Sequence, residues 1–489
     1  MDRIEFFLQF EEIECFSFKV NGVYIWKYFR EEAYDNYIHN IYKTSERVSK
    51  RDPKKIKKYL KSQYFKVFKY HYRLKKKNLV FLSFPRKVLV EGQYICTQLK
   101  DIIDKYDDYY IVENPFWIED YSYEIAHFSA YDKNEIYTDY FEMRTRLFIP
   151  FLKVFLWRFF KQKNQIAIYN WIDNINNSLN LNIDKEKWLH RVFYYVYFEK
   201  YALKFYGRVL KRIQPQCLIE IYTPNHQIAA INTVCHKLNI PIVEIQHGAI
   251  GQYEPIMYSY ASKKNKDHLS DYLLTFGDFW NQKKNYHFSQ NNIISVGSPF
   301  LETKKKERFN HDVFCNILII SQGRYSDLIK NIALQIRANE DFSEFNVILK
   351  LHPYEHSKYL NGEYQNLIEQ GIEVFSGTDR HLYDFFIEAA CVIGVNSTCL
   401  YESLAFCIPT FVLSSQYGSN DVLKLKNTGL LWEFSTTQQL MNKLRGIKDW
   451  QYMHYNMSNL YKENALNNII NEIERIRNCD RKKSIEQTT

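Results

Sequence analysis

The chain has 489 residues, of which 46% are hydrophobic and 25% charged, with a formal net charge of +9. That size and balance exclude a disordered chain and leave room for two or three domains with large cores. Forty tyrosines and 35 phenylalanines stand beside only 15 glycines and 11 prolines, a bias shared with the many Lys, Asn and Ile, so aromatic content alone marks no binding surface.

The first residues, Met1-Asp2-Arg3-Ile4-Glu5, carry acids where an export signal carries bases, so a cytoplasmic location is expected. Nine cysteines, odd in number and mostly inside apolar runs, agree with a reducing compartment, and none are spaced as CxxC, which argues against a structural zinc site. Asn21-Gly22-Val23-Tyr24-Ile25-Trp26 reads as a turn with a short strand or helix start. From Lys43 to Lys77 runs a dense basic segment interleaved with Tyr59, Tyr64, Phe65, Phe68 and Tyr70. It reads either as a solvated helical face or as a contact for the anionic inner face of a membrane, with no nucleic-acid partner expected.

Strand-like runs follow at 78–84, 87–90 and 109–113, then a mostly helical stretch to about residue 212. Within it the window Leu147 to Phe160 is the most apolar, but Pro150, Lys153 and Arg158 break it and it is too short to span a bilayer. A core helix is expected there, with an interfacial helix as the other reading.

Beyond residue 212 the pattern sharpens. Cys217–Tyr222, a turn to His226, a helix over 227–238 and a strand over 242–246 make one βαβ unit closing on His247-Gly248. After the charged link Glu302 to Arg308, read as the boundary between two domains, strands at 316–320, 347–351, 372–375, 391–395 and 410–413 alternate with helices. Such alternation predicts an α/β fold of two Rossmann-like, doubly wound domains facing across a cleft. The expected divisions are 1–302 as the first domain, 303–440 as the second, 441–479 as helices packing back on the first, and 480–489 as a disordered tail.

Three motifs carry chemistry. Ile393 to Thr398 is a buried strand delivering Asn396, Ser397 and Thr398 to a helix start at Cys399-Leu400-Tyr401-Glu402, where free N–H groups and the helix dipole favour an anion. Lys350-Leu351-His352-Pro353 is a strand that the proline stops, aiming His352 off the sheet edge toward a phosphate or leaving group. Glu244-Ile245-Gln246-His247-Gly248 ends a strand of the first domain in a turn that exposes His247, an imidazole suited to deprotonating an acceptor hydroxyl. Gly323-Arg324, after the first strand of the second domain, suits a phosphate too. Glu402 can reach a ribose hydroxyl or form a salt bridge. Glu91, in Val90-Glu91-Gly92, and Glu113 are alternative bases at strand ends.

These pieces, in this order over about residues 205–440, resemble bacterial glycosyltransferases of the GT-B fold that build capsules and lipopolysaccharide. The similar groups include the bacterial sialyltransferases and Kdo transferases and, more distantly, the CDP-glycerol glycerophosphotransferases. Trp26-Lys27-Tyr28-Phe29-Arg30 is similar to a family feature as well. The resemblance implies that His352, Ser397 and Thr398 hold the phosphate of a nucleotide-activated sugar, CMP favoured over UDP or CDP, in the 303–440 domain with the acceptor against 1–302, and with no metal and no cofactor; Lys350, Pro353, Asn396, Glu402, Gly323 and Arg324 are the further donor-site candidates that the motifs themselves offer. It implies catalysis by His352 with a base that is His247 or Glu91, and an acceptor that is a polysaccharide or lipid-linked glycan. The alternatives are a glycerol- or polyol-phosphate transferase of the CDP-glycerol type and a non-catalytic scaffold of capsule assembly.

Overall fold

The computed structural model describes residues 3–39, 74–83, 88–90, 93–113, 116–117, 125–126, 134–221, 226–250, 258–262, 266–281, 286–311, 314–352, 355–377, 380–395, 397–414, 421–447 and 456–486. Two parallel sheets organise it. The first contains β1 (Leu79–Leu82), β2 (Tyr109–Glu113), β3 (Glu135–Tyr137), β4 (Cys217–Glu220), β5 (Ile242–Ile245), β6 (Tyr272–Thr275) and β7 (Ile293–Ser295), in the order 7-6-5-4-1-2-3. The second contains β8 (Asn316–Ile320), β9 (Asn346–Lys350), β10 (Glu373–Phe375), β11 (Ala389–Gly394), β12 (Thr410–Leu413) and β13 (Leu431–Phe434), in the order 10-9-8-11-12-13. Every neighbouring pair in both sheets is parallel.

The strands read as unbroken apolar runs because helices cover both faces. β1, β4 and β11 are buried at every position. In each sheet the chain builds outward from the middle in one direction, then returns to build the other side. The resulting switch points lie between β1 and β4 and between β8 and β11.

The main covering helices are α1 (Asp139–Leu179), α2 (Lys185–Ile213), α3 (His226–Lys237), α4 (Pro299–Phe309), α5 (Ser326–Arg337), α6 (Leu382–Glu388), α7 (Thr398–Ala405) and α8 (Ala465–Glu486). Side chains of a strand alternate between faces. Val80, Leu82 and Leu218 accordingly join the core under α1 and α2, while Leu79, Phe81, Ile219 and Val243 face Ile469, Ile473 and Ile476 of α8. The helix that follows the second domain thus covers one face of the first sheet.

To reach that face, residues 456–464 press against the ends of β6 and β7. A side-chain carbon at Gly277 would lie 2.4 Å from the Asn459 carbonyl oxygen, and one at Gly297 only 2.1 Å from that of Lys462. Gly297 also holds φ at +98°, a left-handed conformation that favours glycine. The crossing is sewn down by Lys462 N donating to Phe276 O at 2.7 Å and Lys462 Nζ donating to Ser295 O at 3.0 Å. Apolar side chains from both domains, including Leu273, Phe276, Leu318 and Leu400, share one continuous core. This pair of doubly wound domains is the α/β GT-B frame expected from the sequence.

Two local expectations are corrected. The charged stretch 302–308 is no open link but the body of α4, started by Ser298 and Pro299. Its Arg308 is 2% exposed and donates to the carbonyls of Phe386, Ile387 and Ala389, so it closes the end of α6. The run 88–90 is a strand, as expected, paired antiparallel with 93–95 in a hairpin separate from the parallel sheet. Helix α8 continues to Glu486, supported in its earlier turns by Glu472–Arg475 and Glu474–Arg477 pairs. The window 147–160 is a core helix on one side only: Ile149 and Phe160 are buried, whereas Phe151, Phe155 and Phe159 are exposed. No helix among the described residues is long and apolar enough to cross a membrane. Of the basic segment 43–77, residues through 73 lie outside the described residues.

Candidate functional site

The topology of the second sheet places the ends of β8 and β11 side by side at its switch point, so Ser321-Gln322-Gly323 and Ser397-Thr398 share one edge. Ser397 is extended (φ −149°, ψ 148°) and its hydroxyl oxygen accepts from Cys399 N at 3.2 Å, capping α7. A hydroxyl that accepts still has its own proton to donate, so capping and holding an anion are compatible roles. The helix can begin this close to the sheet because of Gly394, where an added carbon would meet Leu400 Cδ2 at 2.9 Å.

A buried carboxylate, Glu355, organises the rest of that edge. It is 1% exposed and accepts from Ser321 Oγ at 2.9 Å, Tyr364 Oη at 2.8 Å and His352 N at 3.1 Å, tying the end of β8 to the end of β9. His352 is thereby fixed, half-buried, one strand away from the switch point. Gly323 lies alongside, its added carbon 3.8 Å from Glu355 Cγ. Lys350 turns elsewhere: its ammonium donates to Gly377 O at 2.6 Å, anchoring the chain after β10.

On the first domain, Gln246 explains the turn that follows β5. Its side chain is fully buried, accepts from Phe276 N at 2.8 Å and donates from Nε2 to Gly248 O at 2.7 Å. That clamp holds His247-Gly248 against the opposite domain. A carbon added at Gly248 would lie 3.8 Å from both Thr398 Oγ1 and Thr398 Cγ2. The strand-end motif of one domain therefore meets the helix N-terminus of the other, with His247 partly buried beside the junction.

Glu402, one turn into α7, accepts from Tyr383 Oη at 3.0 Å. Burial pushes its carboxyl up to about 7, partly offset by the tyrosine hydroxyl. Nearby, the Tyr461 hydroxyl is buried without a hydrogen-bond partner among the described residues, and its ring stacks on Phe276 at 5.0 Å. Burial, then the Glu402 charge, raises the Cys399 thiol to about 12, which makes it a packing group rather than a nucleophile.

Sequence reasoning left Glu355, Gln246 and Tyr383 without roles. Each does its work through long-range partners, and only the buried acid two residues after His352-Pro353 offered a local hint. It also passed over His226, the first residue of α3 at the other switch point, whose Nε2 lies 3.0 Å from Tyr195 Oη. Burial, with help from Arg191 and Lys27, pulls this imidazole down to about 4, so it is neutral at physiological pH. The motif Trp26 to Arg30 is a latch: Arg30 pairs with the buried Glu11 at 2.7 Å and Lys27 with Glu199 at 2.9 Å. Glu91, Pro353 and Asn396 lie outside the described residues, as does the side chain of Arg324. Glu113 is buried at the end of β2. Among the described residues no group of three or more His, Cys, Asp or Glu is placed to hold a metal ion.

No protein family and no curated protein matches the chain. Among solved structures, the UDP-GlcNAc 2-epimerase of Methanocaldococcus jannaschii is 12% identical, covering 82% of this chain and 99% of its own with a TM-score of 0.48. The corresponding epimerase of Rickettsia bellii is 13% identical over 82% of this chain and 96% of its own, with a TM-score of 0.46. MurG of Acinetobacter baumannii is 11% identical over 58% of this chain and 79% of its own, with a TM-score of 0.37.

Proposed function

We propose that this protein is a glycosyltransferase that moves a sugar from a nucleotide-activated donor, CMP favoured and UDP or CDP next, to a polysaccharide or lipid-linked glycan of the cell surface. The observation that carries this reading is the approach of Gly248 to Thr398, which sets a histidine-bearing turn of one domain against an anion-favouring helix start of the other. In this reading the donor phosphate lies at the start of α7, taking hydrogen bonds from Ser397, Thr398 and backbone N–H groups, with His352 donating from the next strand but one.

An acceptor hydroxyl held on the first domain attacks the anomeric carbon. The bond from that carbon to the phosphate oxygen breaks, and the nucleotide leaves with the electron pair. The hydroxyl proton passes to a base, His247 by position, with Glu91 as the other candidate. The fixed donors of the second domain neutralise the departing phosphate, and the transfer is proposed to run without a metal.

Thermal-shift measurement against CMP, CDP, UDP and GDP tests the donor site, since a ligand of the folded state raises the melting temperature. Stabilisation by one nucleotide, kept in the presence of EDTA, is expected. Mass analysis of products from the matching sugar donor then separates glycosyl transfer from transfer of a polyol phosphate. No stabilisation by any nucleotide would overturn the donor site.

A further inference from the structure

Helix α1 carries an apolar stripe left exposed among the described residues. Phe148, Phe151, Phe155, Phe159 and Ile166 recur at helical spacing and are 47%, 58%, 60%, 70% and 76% exposed, with Val154 beside them at 79%. Large apolar residues exposed singly are ordinary, but a row of this length marks a contact surface. Between Glu142 and Asp173 the sequence holds six basic residues and no acid. Arg144, Arg158 and Lys163 are exposed on the same side of the helix as the stripe.

We propose that this face of α1 docks on an anionic lipid surface, with the phenylalanines inserted among the acyl chains and the basic side chains against the head groups. The combination of an aromatic apolar stripe with an all-basic border is the chemistry of an interfacial helix. Charge argues against the other occupants. A second copy of the chain packed two-fold on this face would set basic border against basic border. Residues 40–73 carry twelve Lys and Arg against two acids, so they are repelled by the stripe's border and attracted to the same anionic surface. The proposal stands whether or not the chain transfers a sugar.

The test uses the full-length protein and its Phe151→Ser, Phe155→Ser, Phe159→Ser triple variant, co-sedimented with vesicles of equimolar phosphatidylglycerol and phosphatidylcholine, and with phosphatidylcholine alone. The wild type should bind the anionic vesicles, less at high salt, and bind the neutral ones weakly. The triple variant should lose about tenfold or more in vesicle affinity while keeping its melting temperature, because the altered rings are exposed. Absence of wild-type binding, or equal binding by the variant, overturns the proposal. So does a wild-type dimer in sedimentation that the triple variant converts to monomer.

Discussion

Gly248 of the first domain lies against Thr398 of the second, with a carbon added at the glycine placed at ordinary contact distance from the threonine. A size series at this position reads the gap directly. Gly248→Ala should keep nucleotide binding and transfer within a fewfold of wild type. Gly248→Leu should lower kcat/KM by about tenfold or more, since displacement of positioned groups by about 1 Å can cost on the order of a hundredfold. Steady-state kinetics with circular dichroism to confirm folding measures this; equal activity of the two variants would show that the junction is no part of the site.

Glu402 makes stability depend on pH. Its folded carboxyl titrates near 7, above its ordinary value of 4.5, because burial disfavours the charge. The stabilisation this represents is fully present below about 4.5 and is lost as pH rises through about 7. Glu402→Gln, which stays neutral, should therefore melt relatively higher at pH 8 than at pH 5 when compared with wild type, by on the order of 1–3 kcal/mol. Paired melting curves across that range are the check, and parallel curves would contradict it.

Glu355 accepts from three donors; an amide in its place keeps one acceptor oxygen, so either His352 N faces an N–H or the hydroxyls of Ser321 and Tyr364 must both turn round to accept. Glu355→Gln should cost roughly 1–3 kcal/mol and, by loosening His352, weaken nucleotide stabilisation as well. Urea denaturation measures the first effect and thermal shift with the best nucleotide the second.

Gly297→Ala combines a backbone conformation that side chains avoid with a collision against Lys462 O. A loss of about 2 kcal/mol or more follows. Limited proteolysis should show cutting near residues 456–464 in the variant before any in the wild type.

The sheets were legible because their strands are buried on both faces and so stand out as apolar runs; β4, β5, β8, β9 and β11 fall where the sequence places them. The site motifs were legible for a related reason: a strand end, a polar turn and a helix cap are all local. What stayed hidden depends on distant partners. The charged residues of α4 look solvated in sequence, yet Arg308 is buried by the end of α6, nearly eighty residues on. The Leu147–Phe160 window looked like core because hydrophobicity alone does not tell which face of a helix is left bare. Ser397 was read as a cap and as an anion donor, and its geometry supports the first while leaving its proton available for the second.

The placement of α8 sets an order of events during synthesis. The first sheet can pack α1 and α2 as soon as they emerge, but its other face, with Leu79, Phe81, Ile219 and Val243, is closed by a helix encoded after the entire second domain. Domains generally fold as units and from the N-terminus during translation. Here the first domain has that face only partly covered, by Leu99, Ile102 and Ile103, while about 170 further residues are made at the usual pace of roughly 5–20 residues per second. For on the order of ten seconds or more, the nascent chain presents a surface that a chaperone would hold and that a premature stop before Ala465 would leave uncovered for good.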